Sequence, residues 1–117
     1  MTRFNQLPEF QKDFKRLAKK YQSLIEDLNK LERSIILNPT GVGNNFVILY
    51  QASNFKIIKT RMACRALQDR SMRVIYAYHN GIATFVHIEI YFKGDKANED
   101  RERIKEYIES VGRKFCS

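Results

Sequence analysis

Apolar residues recur every three to four positions over the first third of the chain, then every second position from Phe55 onward. The first rhythm is that of helices and the second that of half-buried strands. Leu7-Pro8-Glu9 opens a first helix, with proline in the first turn and a carboxylate where the helix dipole favours one. Phe10, Phe14, Leu17, Ala18 and Tyr21 form its apolar stripe, while Lys12, Lys15, Arg16, Lys19 and Lys20 fall mostly off it. Ser23 to Glu26 has the S-x-x-E pattern of a capping box and starts a second helix. Leu24, Ile25, Leu28, Leu31 and Ile35 are its expected buried stripe, and Asn38-Pro39 ends it. The very short turn between the two predicts an antiparallel helical hairpin.

Residues 39–45 read as a loop, and FVILY at Phe46 to Tyr50 fits a strand or a buried turn. On the first clear strand Ile58, Thr60, Met62 and Cys64 point one way, and Lys59, Arg61 and Ala63 the other. On the next, Met72, Val74, Tyr76 and Tyr78 alternate with Arg73, Ile75, Ala77 and His79. Asn80-Gly81 is a hairpin turn leading into Thr84 to Lys93. There Val86, Ile88, Ile90 and Phe92 oppose Phe85, His87, Glu89, Tyr91 and Lys93. Asp95 to Asn98 is placed to cap a last helix with the stripe Ile104, Tyr107, Ile108 and Val111, stopped by Gly112. With a short strand at Thr2 to Gln6, this predicts one α+β domain over residues 1–117. An N-terminal helical hairpin would pack on a small, mainly antiparallel sheet of three to four strands, followed by a C-terminal helix.

Composition narrows the partners. The 117 residues are too few for two cores, and 44% hydrophobic content suffices for one. Twenty-one Lys plus Arg against thirteen Asp plus Glu leave a net charge of +8, which points to a polyanion, nucleic acid before membrane. No apolar run approaches the roughly 18 residues of a membrane span. MTRFNQLPEF lacks the apolar core of a signal peptide, so a cytoplasmic protein is expected. Cys64 and Cys116 form neither a disulfide framework nor a metal-ligand pattern, and neither metal nor cofactor is expected.

The placement of the charge matters more than its sum. Residues 58–76 carry Lys59, Arg61, Arg65, Arg70 and Arg73 against one acid, Asp69. With helices on the apolar side of the sheet, the opposite side would show Lys59, Arg61, Arg73, Tyr91 and Lys93 together. Such a cationic face costs folding free energy by self-repulsion, so an anion-binding role is inferred. Arginine offers planar, two-pronged contacts to phosphate, and tyrosine can stack on an unpaired base.

The ordered set of segments resembles the RelE/ParE superfamily of toxins from type II toxin–antitoxin modules. The similarity covers nearly the whole chain. It runs through Phe10-x-x-x-Phe14-Lys15-Arg16-Leu17-x-Lys19-Lys20-Tyr21, Ile58-Lys59-x-Arg61-Met62-Ala63, Met72-Arg73-Val74-Ile75-Tyr76 and Ile90-Tyr91-x-Lys93-x-Asp95-Lys96. Two departures are Asp69-Arg70-Ser71-Met72, where many relatives have a Gly-rich turn, and Asn45 to Asn54, which has no counterpart. The resemblance implies a ribosome-dependent endoribonuclease of mRNA, silenced by a cognate antitoxin in a hetero-oligomer. In that chemistry a 2′-hydroxyl attacks the adjacent phosphate and leaves a cyclic phosphate. The resemblance then makes Lys59 the candidate base or phosphate ligand, and a lysine can serve as base only where neighbouring cations press it to release its proton. Arg61 and Arg73 would stabilise phosphate charge, Tyr91 would stack on the nucleotide, and Lys93 would hold the backbone or assist the acid step.

Arg65, Arg70, Lys19 and Lys20 are candidate RNA-docking residues, with contact to acids of the antitoxin as the alternative for Arg65 and Arg70 and a solvated face as the plain alternative for the helix lysines. His87 and Glu89 share a strand face by simple alternation and form a second conceivable acid/base pair. Tyr76 and Tyr78 are expected in the core and His79 on the surface. Two rival functions stand beside the ribonuclease: a ParE-like inhibitor of DNA gyrase without catalysis, and a basic RNA-binding module without catalysis.

Overall fold

The computed structural model describes residues 3–68, 70–82 and 84–115. A strand β1 (Arg3–Gln6) precedes helices α1 (Pro8–Lys20) and α2 (Leu24–Leu37). Strands β2 (Phe46–Gln51) and β3 (Phe55–Cys64) follow, and a 3-10 turn at Arg65–Leu67 leads into β4 (Arg70–His79). Strand β5 (Thr84–Phe92) and helix α3 (Arg101–Phe115) complete the order. The fold is α+β, and its sheet is mixed, with five strands in the order β1-β5-β4-β3-β2.

This exceeds the three to four strands expected, because FVILY forms the edge strand β2, antiparallel to β3. The N-terminal strand pairs parallel to β5 at the other edge, from Arg3 opposite Thr84 to Gln6 opposite His87. The long strands β3, β4 and β5 are antiparallel and form the middle of the sheet.

Both faces of the sheet are packed. Phe10 and Leu17 of α1 and Leu24, Leu28, Leu31 and Ile35 of α2 bury against Ile58, Met62, Met72, Val74, Tyr76, Phe85 and Ile90. Helix α1 sits chiefly over β5 and α2 over β3, with little direct packing between the two. On the opposite face Ile104, Tyr107 and Val111 of α3 cover Phe55, Ile57, Ile75, Ala77, Ile88 and Tyr91. The second face is therefore not bare, contrary to expectation: the stripe on α3 needs apolar surface to bury, and the first face is already taken.

Several local expectations change with it. Ile25 is 59% exposed, and Asp27 takes its place on the buried side of α2. Ser23 stands at the N-cap, but its side chain makes no capping bond. Its hydroxyl instead donates to Asp27 Oδ2 at 2.7 Å and accepts from the Ala66 amide at 2.9 Å. Helix α3 is capped by Asp100, whose Oδ1 accepts from the Arg103 amide at 3.1 Å, rather than by residues 95–98. It also runs past Gly112 to Phe115. His79 is buried, stacked on Phe55 and bonded through Nε2 to the Tyr107 hydroxyl at 2.5 Å. Its expected exposure assumed open space where α3 lies.

Beyond the end of β1 the edge of β5 is closed by a side chain. Arg103 of α3 donates to the Ile88 carbonyl at 3.2 Å and, from the same nitrogen, to Asp13 of α1 at 2.8 Å. One guanidinium thus ties the helices of the two faces together around the sheet edge.

Candidate nucleic-acid interface

Strand register builds the cationic site. Arg61 of β3 lies opposite Arg73 of β4, which lies opposite Tyr91 of β5. The adjacent row runs Val47, Lys59, Ile75 and Glu89 across four strands. Both rows belong to the face that carries α3. Where α3 stops covering it, Lys59, Arg61, Arg73 and Lys93 line a cleft of about 170 Å³, edged by Asn44, Asn45 and Val47. Four of the five predicted catalytic side chains therefore meet in one concavity.

The fifth does not present the surface expected of it. Tyr91 is 4% exposed and packs in the core under α3. Lys96 holds its ammonium 5.5 Å from the ring centroid, so the ring is covered rather than offered to a base. Burial pushes the Tyr91 hydroxyl up to about 12, helped by the charges of Glu99 and Glu89 and opposed by Arg73. It is a neutral phenol at physiological pH. Alternation placed Tyr91 on the right face, but gave no sign that a helix would cover it.

Two acids on the α3 side fix the link from β5 to α3 against the sheet. Lys59 Nζ donates to Glu99 Oε1 at 3.0 Å, and the Glu99 side chain is only 7% exposed. Burial acts to raise the Glu99 pKa, but the Lys59 hydrogen bond and the charges of Lys59 and Arg101 outweigh it and leave it lowered. Glu89, 1% exposed, accepts from the Asp100 amide at 2.7 Å and pairs with Lys96. Glu99 was not singled out by sequence reasoning, since it lies 40 residues from Lys59 in a segment without periodicity.

The pairing of His87 with Glu89 is excluded by a bulge. Register shifts between Ile75 and Tyr76, so Ile75 faces Glu89 while Tyr76 faces His87, and Ile88 is the extra residue. His87 consequently turns to the α1 face, stacked on Phe4 and Phe10 at 5.4 and 5.0 Å. It is fully buried and bonds Glu32 Oε2 through Nε2 at 2.8 Å. Glu89 turns to the α3 face. A single inserted residue leaves no mark in the composition of the strand, TFVHIEIYF, so simple alternation cannot reveal it.

Around the edge of β3 a second hollow of about 260 Å³ lies between α2 and the strand, lined by Lys30, Ser34, Arg61 and Arg65 among others. Arg61 borders both concavities. The Arg65 guanidinium pairs with Glu26 at 3.1 Å on the surface, and the Arg65 amide bonds buried Asp27. Lys19 and Lys20 are exposed at the end of α1, away from the cleft, and Lys20 lies over the Tyr21 ring at 5.4 Å. The Arg70 side chain, Asp69 and Cys116 lie outside the described residues. Cys64 is buried with its thiol unbridged, and burial raises its pKa. No group of three or more potential metal ligands occurs among the described residues. No helix among them is long and apolar enough to cross a membrane.

The arrangement suits a chain of phosphates. Arginine at Arg61 and Arg73 offers paired N–H donors, and Lys59 and Lys93 add point charges. Comparison with protein-family models, with curated proteins and with solved structures finds no match for this chain.

Proposed function

We propose that the chain is an mRNA endoribonuclease of the RelE/ParE kind, acting on ribosome-bound message and neutralised by an antitoxin protein. The observation that carries this reading is the convergence of Lys59, Arg61, Arg73 and Lys93 on one cleft. In the reaction a 2′-oxygen bonds to the adjacent phosphorus as its proton passes to solvent water. The bond from phosphorus to the 5′-oxygen breaks, and that oxygen takes up a proton. The products are a cyclic phosphate and a 5′-hydroxyl. Negative charge grows on the phosphoryl oxygens in the transition state, where fixed donors act most strongly. In this reading Arg61 and Arg73 take that task, and Lys93 holds the flanking backbone. The cleft supplies electrostatics and no histidine, which suits a substrate already positioned by ribosomal RNA.

A second reading, an RNA-binding module without catalysis, is favoured by the burial of Tyr91, which removes the stacking group from the cleft. Induced expression without a partner separates the readings. The ribonuclease reading expects amino-acid incorporation to stop before DNA synthesis does, with new 5′-hydroxyl ends in messages. Translation that continues with intact messages would contradict it, and DNA synthesis failing first would point to gyrase.

A further inference from the structure

The Lys59–Glu99 pair bears on what Lys59 can do. Lys59 Nζ sits 3.0 Å from Glu99 Oε1, and the two side chains are 23% and 7% exposed. A carboxylate so covered keeps its charge only beside a cation, and a cation so paired is a poor proton acceptor. The lowered pKa of Glu99 agrees with an ionised carboxylate in this position. The surroundings of Lys59 are otherwise mostly cationic. Arg61 lies on its own strand, Arg73 on β4, Lys93 after β5 and Arg101 beside Glu99, with Tyr91 and Glu89 on β5. Glu89 is committed to Lys96 and the Asp100 amide, so Glu99 is the acid that meets Lys59 directly.

We infer that Glu99 is a positioning residue that holds Lys59 as a fixed ammonium, so that Lys59 binds phosphate and does not take the proton of the attacking hydroxyl. This rests on the RNA reading of the cleft for its consequence, but not for its physical core. The ion pair also aims the lysine: Nζ is anchored from the α3 side, leaving its remaining N–H donors directed away from Glu99.

The test begins without RNA. The ε-carbon resonance of Lys59 is followed by NMR as pH rises through the lysine range, in the full chain and in Glu99→Gln. The amide keeps the shape of the carboxylate and removes its charge. The Lys59 midpoint should be lower in the variant than in the parent chain, since the carboxylate in direct contact with Nζ is gone and the neighbouring cations remain. An unchanged midpoint would overturn the inference.

The second arm uses ribosome-bound message. Lys59→Arg, which keeps the charge and cannot act as a base, should retain cleavage within about threefold, whereas Lys59→Gln should lose about tenfold or more. Glu99→Gln should lower cleavage in the parent chain yet change nothing further in the Lys59→Gln background. Lys59→Arg as inactive as Lys59→Gln would make Lys59 the base and overturn the inference. A parent chain that cleaves no message would remove the functional reading alone, and the titration would still decide the charge state.

Discussion

Arg61 and Arg73 face one another directly across the β3–β4 ladder, two guanidinium groups in a cross-strand pair. Like charges so placed oppose folding, on the scale of about 0.2–1 kcal/mol for a cross-strand pair. Arg61 is also exposed, so little packing compensates for the repulsion. Replacing it by threonine, a good strand former, should raise stability by up to about 1 kcal/mol at low salt, and by less as salt screens the repulsion. The same substitution should weaken binding of a single-stranded oligonucleotide and reduce the steepness of its salt dependence by about one phosphate contact. Denaturant unfolding and binding isotherms across a salt series measure the two effects together. A variant less stable than the parent, with unchanged salt dependence, would show Arg61 to be a structural residue.

The acids on the α3 side should differ sharply from their partners in structural weight. Glu89 is buried with two bonds to the link before α3, whereas Lys96 is 43% exposed at its side chain. Glu89→Ala leaves the Asp100 amide without its acceptor and should cost about 3 kcal/mol. Lys96→Ala returns one charge from a half-wet pair and should cost less than about 1 kcal/mol. Urea unfolding of both variants tests the contrast, and equal losses would mean that the pair acts as a unit.

Much of this geometry was legible in the sequence, and what was missed has physical causes. The period of two from Phe55 placed Lys59, Arg61 and Arg73 on one face correctly, because alternation depends only on the local backbone. The stripe Ile104, Tyr107 and Val111 was read correctly as buried, but not which face of the sheet would bury it. That one choice accounts for the covered ring of Tyr91 and the buried His79. The split between His87 and Glu89 comes from a bulge, where one added residue reverses the parity of everything before it. FVILY is short and apolar throughout, which fits several states. Its role as an edge strand leaves Val47 and Ile48 51% and 45% exposed.

The Lys59–Glu99 pair should show itself in acid. The lowered pKa of Glu99 means that the folded chain holds its proton less tightly than the unfolded one. Its contribution to stability is therefore present above the ordinary carboxylate value of 4.5 and is lost as pH falls below that through the folded value. The stability gap between the parent chain and Glu99→Gln should accordingly be open at neutral pH and close in acid. Thermal unfolding across that range measures it, and a gap that widens as pH falls would reverse the sign of the coupling.

The strap at the sheet edge predicts a further coupling. Arg103 serves Asp13 and the Ile88 carbonyl from one nitrogen. Arg103→Lys keeps the charge but not the fork, and should recover only part of the stability lost in Arg103→Ala. A double-mutant cycle with Asp13→Ala should return a coupling of about 1 kcal/mol, above that of an exposed pair. Additive losses would show that the two helices are held independently.

The central claim is that the cleft acts on phosphate in the transition state, and Arg73→Ala tests it most directly. Single-turnover cleavage of ribosome-bound message is measured at saturating ribosome, with folding of each variant verified. Arg73→Ala should slow cleavage by about a hundredfold or more, the scale of losing one oxyanion donor. Arg73→Lys should restore only part of the rate, because an ammonium lacks the two-pronged contact. Lys19→Ala with Lys20→Ala, on the exposed end of α1, should weaken ribosome binding and leave the saturated rate almost unchanged. Normal cleavage by Arg73→Ala once the ribosome is saturated would contradict the claim and make the cleft an RNA-docking surface.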